Sequence, residues 1–361
     1  MRFPSVAARR SFKRWIVATC LLVAVALGAG LAFGGWAGST SRSSQAGVAA
    51  KLAERTVASG VPKPSQHPVR RPGRHARLPV PFSSSTPDPS QLLGGAPHEP
   101  KGWVTAVHAV VVDGVSRSYL SVQPATLSAA VPVVVLLHGR FMTADQILGY
   151  TRLAFGTGPA VIIAPQGYER SWNADGCCGP AWRRGVNDVA FVSAALDQTF
   201  ASTPMADRSR VYAAGFSNGG RLAYLLACDM PGVLRGFAAV EAVPVVACPS
   251  MHPLDITVVA QQNDPLLTVS PNGFPKRIYS KVEPTVPVEL SRLRALDGCA
   301  ALGRTTRVGV SVLTTWTCAS SSTLRYVWYP GGGHSWRAAT PTTPGATAAV
   351  VSMLAPQVVR Q

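Results

Sequence analysis

Residues 210–230 read RVYAAGFSNGGRLAYLLACDM. An apolar run passes through Gly215-Phe216-Ser217-Asn218-Gly219 into a second apolar run with helical spacing. A G-x-S-x-G match also arises by chance, so its weight rests on its flanks. Here a strand candidate precedes and a helix candidate follows, the setting in which a serine is exposed on a sharp strand-to-helix turn. Glycines at 215, 219 and 220 let the two backbones close on each other around that turn. The N-terminus of the following helix adds partial positive charge where an oxyanion would form. A serine hydroxyl is a weak nucleophile until a base takes its proton. The reading therefore demands a histidine and a carboxylate at the ends of other strands.

Those strands are legible on either side. Residues 131–137 (VPVVVLL) form a continuous β-branched apolar run, the mark of a strand buried on both faces. Runs of the same kind lie at 160–164 (AVIIA), 236–240, 256–260 (ITVVA) and 324–329. Upstream, WVTAVHAVVVDGVSRSYLSVQP reads as two strands around a turn at Asp113-Gly114. Helix candidates at 186–200, 218–228 and 346–354 alternate with the strands. Such alternation predicts an α/β fold, with a mostly parallel central sheet and helices on both faces. Active groups in these sheets sit beyond the carboxyl ends of the strands.

The demanded partners follow in order. Asp264 comes after ITVVA, in QQNDP, and His334 comes after the last strand, in GGGHSW. Taken singly, Asp264 before Pro265 is an ordinary turn residue and His334 a loop histidine. The order Ser–Asp–His is that of α/β-hydrolases, and it turns the three into the catalytic candidates Ser217, Asp264 and His334. His138 reads instead as a core histidine, because its position needs the Gly139 turn rather than an imidazole. Trp172 and Trp336 fall in loops on the expected active face, as candidates to stack on a phenolic acyl group or a sugar ring. Asn173 is a candidate polar contact with substrate, Trp182 a loop anchor, and Asp188 a structural partner for Arg183 or Arg184.

Several segments together resemble a known family: LLHG at 136–139, SWNADGCCGPA at 171–181, VNDVAFVSAALD at 186–197, the stretch quoted first, and GGGHSW at 331–336. The resemblance is to the secreted poly(3-hydroxybutyrate) depolymerase and feruloyl or acetylxylan esterase group of α/β-hydrolases, and it covers residues 101–355. It implies an α/β-hydrolase fold, a Ser217–His334–Asp264 triad, and an oxyanion hole from the backbone N–H groups of Arg140 and Asn218. It also implies a polyester or acylated-polysaccharide substrate and a reaction that needs no metal or organic cofactor. Three positions depart from the family pattern. Gln261-Gln262 stands where the family has His-Gly, Arg140 stands where it has cysteine or a small residue, and Glu241 is an unexpected carboxylate in AAVEAVPV.

Composition bounds the rest. The 361 residues carry a net charge of +17, but 13 of the 34 Lys/Arg and only 3 of the 17 Asp/Glu fall in residues 1–100. Residues 101–361 show no basic stripe with interleaved aromatics, which argues against nucleic acid as a partner. No C-x-x-C or H-x-x-x-H spacing points to a structural zinc. Residues 1–37 combine a basic start, including a twin-arginine-like ARRSFK, with 23 uncharged residues. They read as an export signal or a membrane anchor. Residues 38–100, rich in Pro, Ser and basic residues, read as a disordered linker, and 101–361 as the catalytic domain. Six cysteines outside the apolar segment predict disulfides. Local loops favour Cys228–Cys248 and Cys299–Cys318, the second tying a helix to a hairpin before the last strand, and Cys177 and Cys178 are left either bridged or reduced. Function then reads as an exported serine ester hydrolase. A same-fold peptidase and a non-catalytic, surface-displayed binding protein are the alternatives.

Overall fold

Alternating side chains of one strand, Val131–Leu137, feed two separate hydrophobic cores. Val133, Val135 and Leu137 point to one, Val134 and Leu136 to the other, and all five are fully buried. A strand buried on both faces must lie mid-sheet, and this one is β3. The computed structural model describes residues 99–278 and 281–358. Apart from residues 99 and 100, the expected export or anchor segment at 1–37 and the linker at 38–100 lie outside the described residues. Among the described residues, no helix is long and apolar enough to cross a membrane.

Before β3 come β1 (Trp103–Val112) and β2 (Val115–Pro124), paired antiparallel around the Asp113-Gly114 turn. After it come α1 (Ala144–Thr151), β4 (Val161–Pro165), α2 (Gly179–Arg184), α3 (Asp188–Ser202) and β5 (Ala206–Phe216). Next are α4 (Asn218–Asp229), β6 (Gly236–Val240), β7 (Asp255–Gln261), and a small two-stranded unit of β8 (Lys276–Ile278) and β9 (Lys281–Glu283). The chain continues through α5 (Val286–Leu296), β10 (Arg304–Val308), β11 (Ser311–Thr317), β12 (Thr323–Tyr329) and α6 (Ala346–Val358).

The main sheet has ten strands in the order β1-β2-β4-β3-β5-β6-β7-β12-β11-β10. The six from β4 to β12 in that order are mutually parallel, and the flanking pairs run antiparallel. One face buries residues of α3, α4 and α5, the other those of α1 and α6. This is a mostly parallel α/β sheet with helices on both faces, as the sequence predicts. The parallel arrangement brings the carboxyl ends of β3, β5, β6, β7 and β12 to one rim, and Arg140, Ser217, Asn218, Asp264 and His334 each follow one of those ends.

The strands at 131–137 and 236–240 match their sequence reading to the residue. The β10–β11 pair carries no comparable signal, since all five residues of β10 are exposed. Cys228–Cys248 and Cys299–Cys318 are bonded as expected, and Cys177 and Cys178 form a vicinal pair. Cys299 follows α5 and Cys318 follows β11, so that bridge ties helix to hairpin.

Candidate active site

Ser217 sits between β5 and α4 with φ 53° and ψ −117°. That backbone region is costly for a residue with a Cβ, and such strain persists only where the surroundings over-determine it. Its N–H donates to Val240 O at 2.9 Å, and its carbonyl accepts from Arg221 N at 3.1 Å. A side chain at Gly215 would strike the Gly219 carbonyl, and one at Gly219 would strike the Leu137 carbonyl. The two glycines are thus the condition for helix α4 to pack onto the ends of β5 and β3. The turn leaves the Ser217 hydroxyl free of the helix, with no capping hydrogen bond to α4.

The structure brings the three catalytic candidates together. His334 Nε2 lies 2.7 Å from Ser217 Oγ, and His334 Nδ1 lies 2.7 Å from Asp264 Oδ2. The Asp264 side chain is fully buried, while that of His334 keeps 18% of its surface. Asp264 Oδ1 accepts from the N–H groups of Leu266 at 2.6 Å and Leu267 at 3.2 Å. Burial pushes the Asp264 carboxyl up, but hydrogen bonds from His334, Glu241 and Leu266 outweigh it and hold the group below its usual range. An anionic Asp264 fixes the tautomer with Nδ1–H, so Nε2 is the basic nitrogen facing the hydroxyl. This chain of contacts can carry a proton from Ser217 to His334. The His334 ring also packs on Phe216, with centroids 5.1 Å apart.

Gln261, one of the departures from the family pattern, holds the histidine loop. Its Nε2 donates to Gly333 O at 2.7 Å and to Ser335 O at 2.9 Å, on either side of His334. Glu241, another departure, follows β6 as Asp264 follows β7. It is buried, and burial first, then the neighbouring Asp264, push its carboxyl up to about 10. The sequence marks Glu241 as unexpected but gives no sign of its place beside Asp264.

Arg140 and Asn218, expected as oxyanion donors, follow the adjacent strands β3 and β5. The next two N–H groups after Arg140 are occupied, Phe141 N by Arg170 O at 2.8 Å and Met142 N by Gly139 O at 3.1 Å. His138 is a core residue, as read. Its Nε2 accepts from Gly167 N at 2.9 Å, so Nδ1–H donates to Gly139 O at 2.8 Å. Complete burial lowers its pKa to about 4, the Gly139 carbonyl opposing this and the positive charge of Arg117 adding to it.

The aromatic substrate contacts read from sequence are corrected. Trp172 is fully buried. Its Nε1 donates to His138 O at 2.7 Å and its ring packs on His138 at 4.6 Å. The Asn218 side chain locks this tryptophan's backbone, accepting from Trp172 N at 2.8 Å and donating to Trp172 O at 3.2 Å. Trp336 is 4% exposed, and its Nε1 donates to Thr347 Oγ1 at 2.9 Å. Asn173 is also engaged, with Nδ2 on Val186 O at 2.9 Å and its backbone N on Asp188 Oδ2 at 2.7 Å. Apolar rings packed in this way stabilise loops and cannot also face a ligand. Asp188 is structural, but its partner is Arg117, at 2.6 Å and buried, rather than Arg183 or Arg184. Among the described residues, exposed aromatics near the rim include Phe141 and Tyr150, the latter edge-on to Phe216 at 5.9 Å. A cavity of about 670 Å³, lined by Asn263, Trp316, Tyr326 and Trp328 among others, lies beside the acid loop and not over Ser217.

The chain is similar to several known proteins. Residues 117–271 match a family described as esterase PHB depolymerase. The matched span holds Ser217 and Asp264, and His334 lies beyond it. NocK of Nocardia uniformis subsp. tsuyamanensis, named as an esterase, is 28% identical over 275 residues, covering 67% of this chain and 78% of that protein. A protein of Aspergillus niger named as feruloyl esterase C is 31% identical over 112 residues, 30% of this chain and 37% of the relative. The structure of an acetyl xylan esterase from Aspergillus awamori aligns with a TM-score of 0.48 and 13% identity, over 64% of this chain and 94% of that one.

Proposed function

We propose that this protein, whose residues 117–271 match the esterase PHB depolymerase family, is an exported serine carboxylesterase acting by acyl transfer. His334 takes the Ser217 proton as Ser217 attacks the ester carbonyl. The backbone N–H groups of Arg140 and Asn218 stabilise the tetrahedral oxyanion. Asp264 orients His334 and stabilises the imidazolium. His334 then protonates the leaving alcohol, and water releases the acyl group by the same path in reverse. The observation that carries this reading is the unbroken run of 2.7 Å contacts from Ser217 to His334 to Asp264, built on a strained strand-to-helix turn.

The substrate we propose is a polyester or an acylated polysaccharide or its oligomers, in keeping with the family description and with the feruloyl esterase name of one relative. Phe141 and Tyr150, exposed beside the turn after β3 and the histidine loop, are the proposed apolar contacts, in place of Trp172 and Trp336. Export is proposed on the basic and apolar residues 1–37, with 38–100 as linker and 101–361 as the catalytic domain. Disulfides are typical of oxidising compartments, and the Cys228–Cys248 and Cys299–Cys318 bonds favour that reading. The peptidase and non-catalytic alternatives draw no specific support, since Gln261, the departure that favours a non-catalytic protein, holds the His334 loop in place. The test is hydrolysis of p-nitrophenyl acetate by the wild type and by Ser217→Ala. Loss of about 10⁴-fold or more in kcat is expected, and equal rates would remove the enzyme reading. Among polyester, feruloylated and acetylated substrates, the largest kcat/KM then identifies the ester class.

A further inference from the structure

Two carboxylates end neighbouring parallel strands. Val240 of β6 pairs with Val259 of β7, and the Glu241 N–H donates to Val259 O at 2.9 Å. One oxygen of Glu241, one of Asp264 and a ring nitrogen of His334 lie within 4.8 Å of one another. Glu241 is 1% exposed. It takes a positive φ of 51°, an unusual backbone for a residue of its size. Its Oε2 accepts from Gln261 N at 3.3 Å, while Oε1 is buried with no donor to meet it. Among the described residues, no lysine or arginine pairs with it. The ionisable groups that face it are Asp264 and His334 from the loops after β7 and β12, and Tyr326 and Tyr329 from β12.

Two buried anions at this separation repel strongly, and like charges sharing a site push one member to keep its proton. Asp264 has His334 and two backbone N–H groups to stabilise its charge, and Glu241 has one weak donor. The proton therefore belongs to Glu241. A carboxylic acid with an unmatched oxygen beside a buried carboxylate has one strong acceptor in reach.

We propose that Glu241 is a positioning residue for the reaction assigned above: its carboxyl stays protonated at neutral pH and donates a hydrogen bond to Asp264. This inference rests on the Ser217–His334–Asp264 reading for its catalytic meaning, but the protonation itself does not. The donated bond fixes the Asp264 rotamer and spreads its charge, which keeps Asp264 from over-stabilising the imidazolium. The chain of contacts becomes Glu241, Asp264, His334, Ser217, in which only the last two open to substrate.

Three measurements on the full chain test it. Infrared difference spectroscopy at pH 7 should show the C=O stretch of a buried protonated carboxylic acid, lost in Glu241→Gln. The absence of that band overturns the proposal, and it would also be absent if Glu241 were an anion holding a cation with Asp264 and His334. Second, a native state that keeps a proton which the unfolded chain releases becomes less stable as pH rises. The Tm of Glu241→Gln should thus gain on the wild type steadily from pH 5 to pH 9, and a constant difference overturns the proposal. Third, Glu241→Ala should lower kcat 10- to 100-fold at unchanged KM, the range of a hydrogen bond to a charged group. It should also move the acid limb of the kcat/KM profile upward, and Glu241→Gln, which keeps a donor, should rescue both. Equal losses in the two variants with an unmoved acid limb sink the positioning role. If neither protein hydrolyses esters, the infrared and Tm results still decide the protonation, so the two readings fail separately.

Discussion

Two histidines end parallel strands of the same sheet, and they do opposite things. His138, after β3, spends both ring nitrogens on backbone, one on Gly139 O and one on Gly167 N. His334, after β12, spends both on side chains, Ser217 and Asp264. The first is sealed and neutral, while the second keeps 18% of its side-chain surface. The same division runs through the whole rim. An outer set, Ser217, His334 and Asp264, has partners that can exchange protons. A buried set, His138, Trp172, Asn218 and Glu241, none more than 1% exposed, fixes where the outer set stands. Residue type does not assign the role; the partners do.

Removing the charge from the outer set should have the largest effect. Asp264→Asn is expected to lower kcat by about 10⁴, because an amide in place of the carboxylate favours the wrong histidine tautomer and leaves the imidazolium unbalanced. KM should hardly change, since Asp264 touches no substrate. Steady-state kinetics with p-nitrophenyl acetate measures this. If most of the activity survives, Glu241 is supplying the acid at the end of β6, and the division between the two sets is wrong.

The buried set should answer in stability instead. Trp172→Ala empties a fully buried indole site and strips the His138 carbonyl of its donor. A loss of about 3–5 kcal/mol in unfolding free energy is expected from the cavity, read by urea titration. KM measured well below the lowered Tm should stay close to the wild-type value. A raised KM with an unchanged Tm would restore this tryptophan as a stacking platform and would contradict its burial.

That correction shows where sequence stops informing. The strands β3 and β6 are legible to the residue because a segment buried on both faces must be apolar throughout. β10, RTTRV with every residue exposed, leaves no such pattern, and only its pairing with β11 makes it a strand. Ser217, Asp264 and His334 are legible as candidates because strand-end position and chain order constrain them jointly. The loop aromatics are not, since a tryptophan after a serine in a loop, as at Trp172 and Trp336, looks alike whether it faces solvent or the sheet. Glu241 can be noticed in the sequence as unusual, but its meaning depends on β6 and β7 being neighbours and on the depth at which they end. Neither depth nor adjacency is a local property of AAVEAV.

The smallest effect, and the most direct test of the contrast between the histidines, lies in the acid range. The His138 pKa falls from 6.5 to about 4 on folding, chiefly through burial. Between those values the unfolded chain binds a proton that the native state refuses, so the His138 contribution to stability is full above pH 6.5 and is lost as pH falls towards 4. At 1.36 kcal/mol per unit the loss is of order 3 kcal/mol across the window. Asp264, held below its usual range, adds a further loss at still lower pH, where its protonation becomes favourable. Replacing His138 with glutamine keeps a donor and an acceptor but cannot take up the proton. Whatever that replacement costs at pH 7, His138→Gln should gain on the wild type in unfolding free energy as pH falls from 6.5 to 4.5, since the difference between the two proteins isolates His138 from the opposing slope of Glu241. Parallel slopes for the two proteins would mean that His138 titrates as freely as an exposed histidine, and that the two strand-end imidazoles differ less than their partners imply.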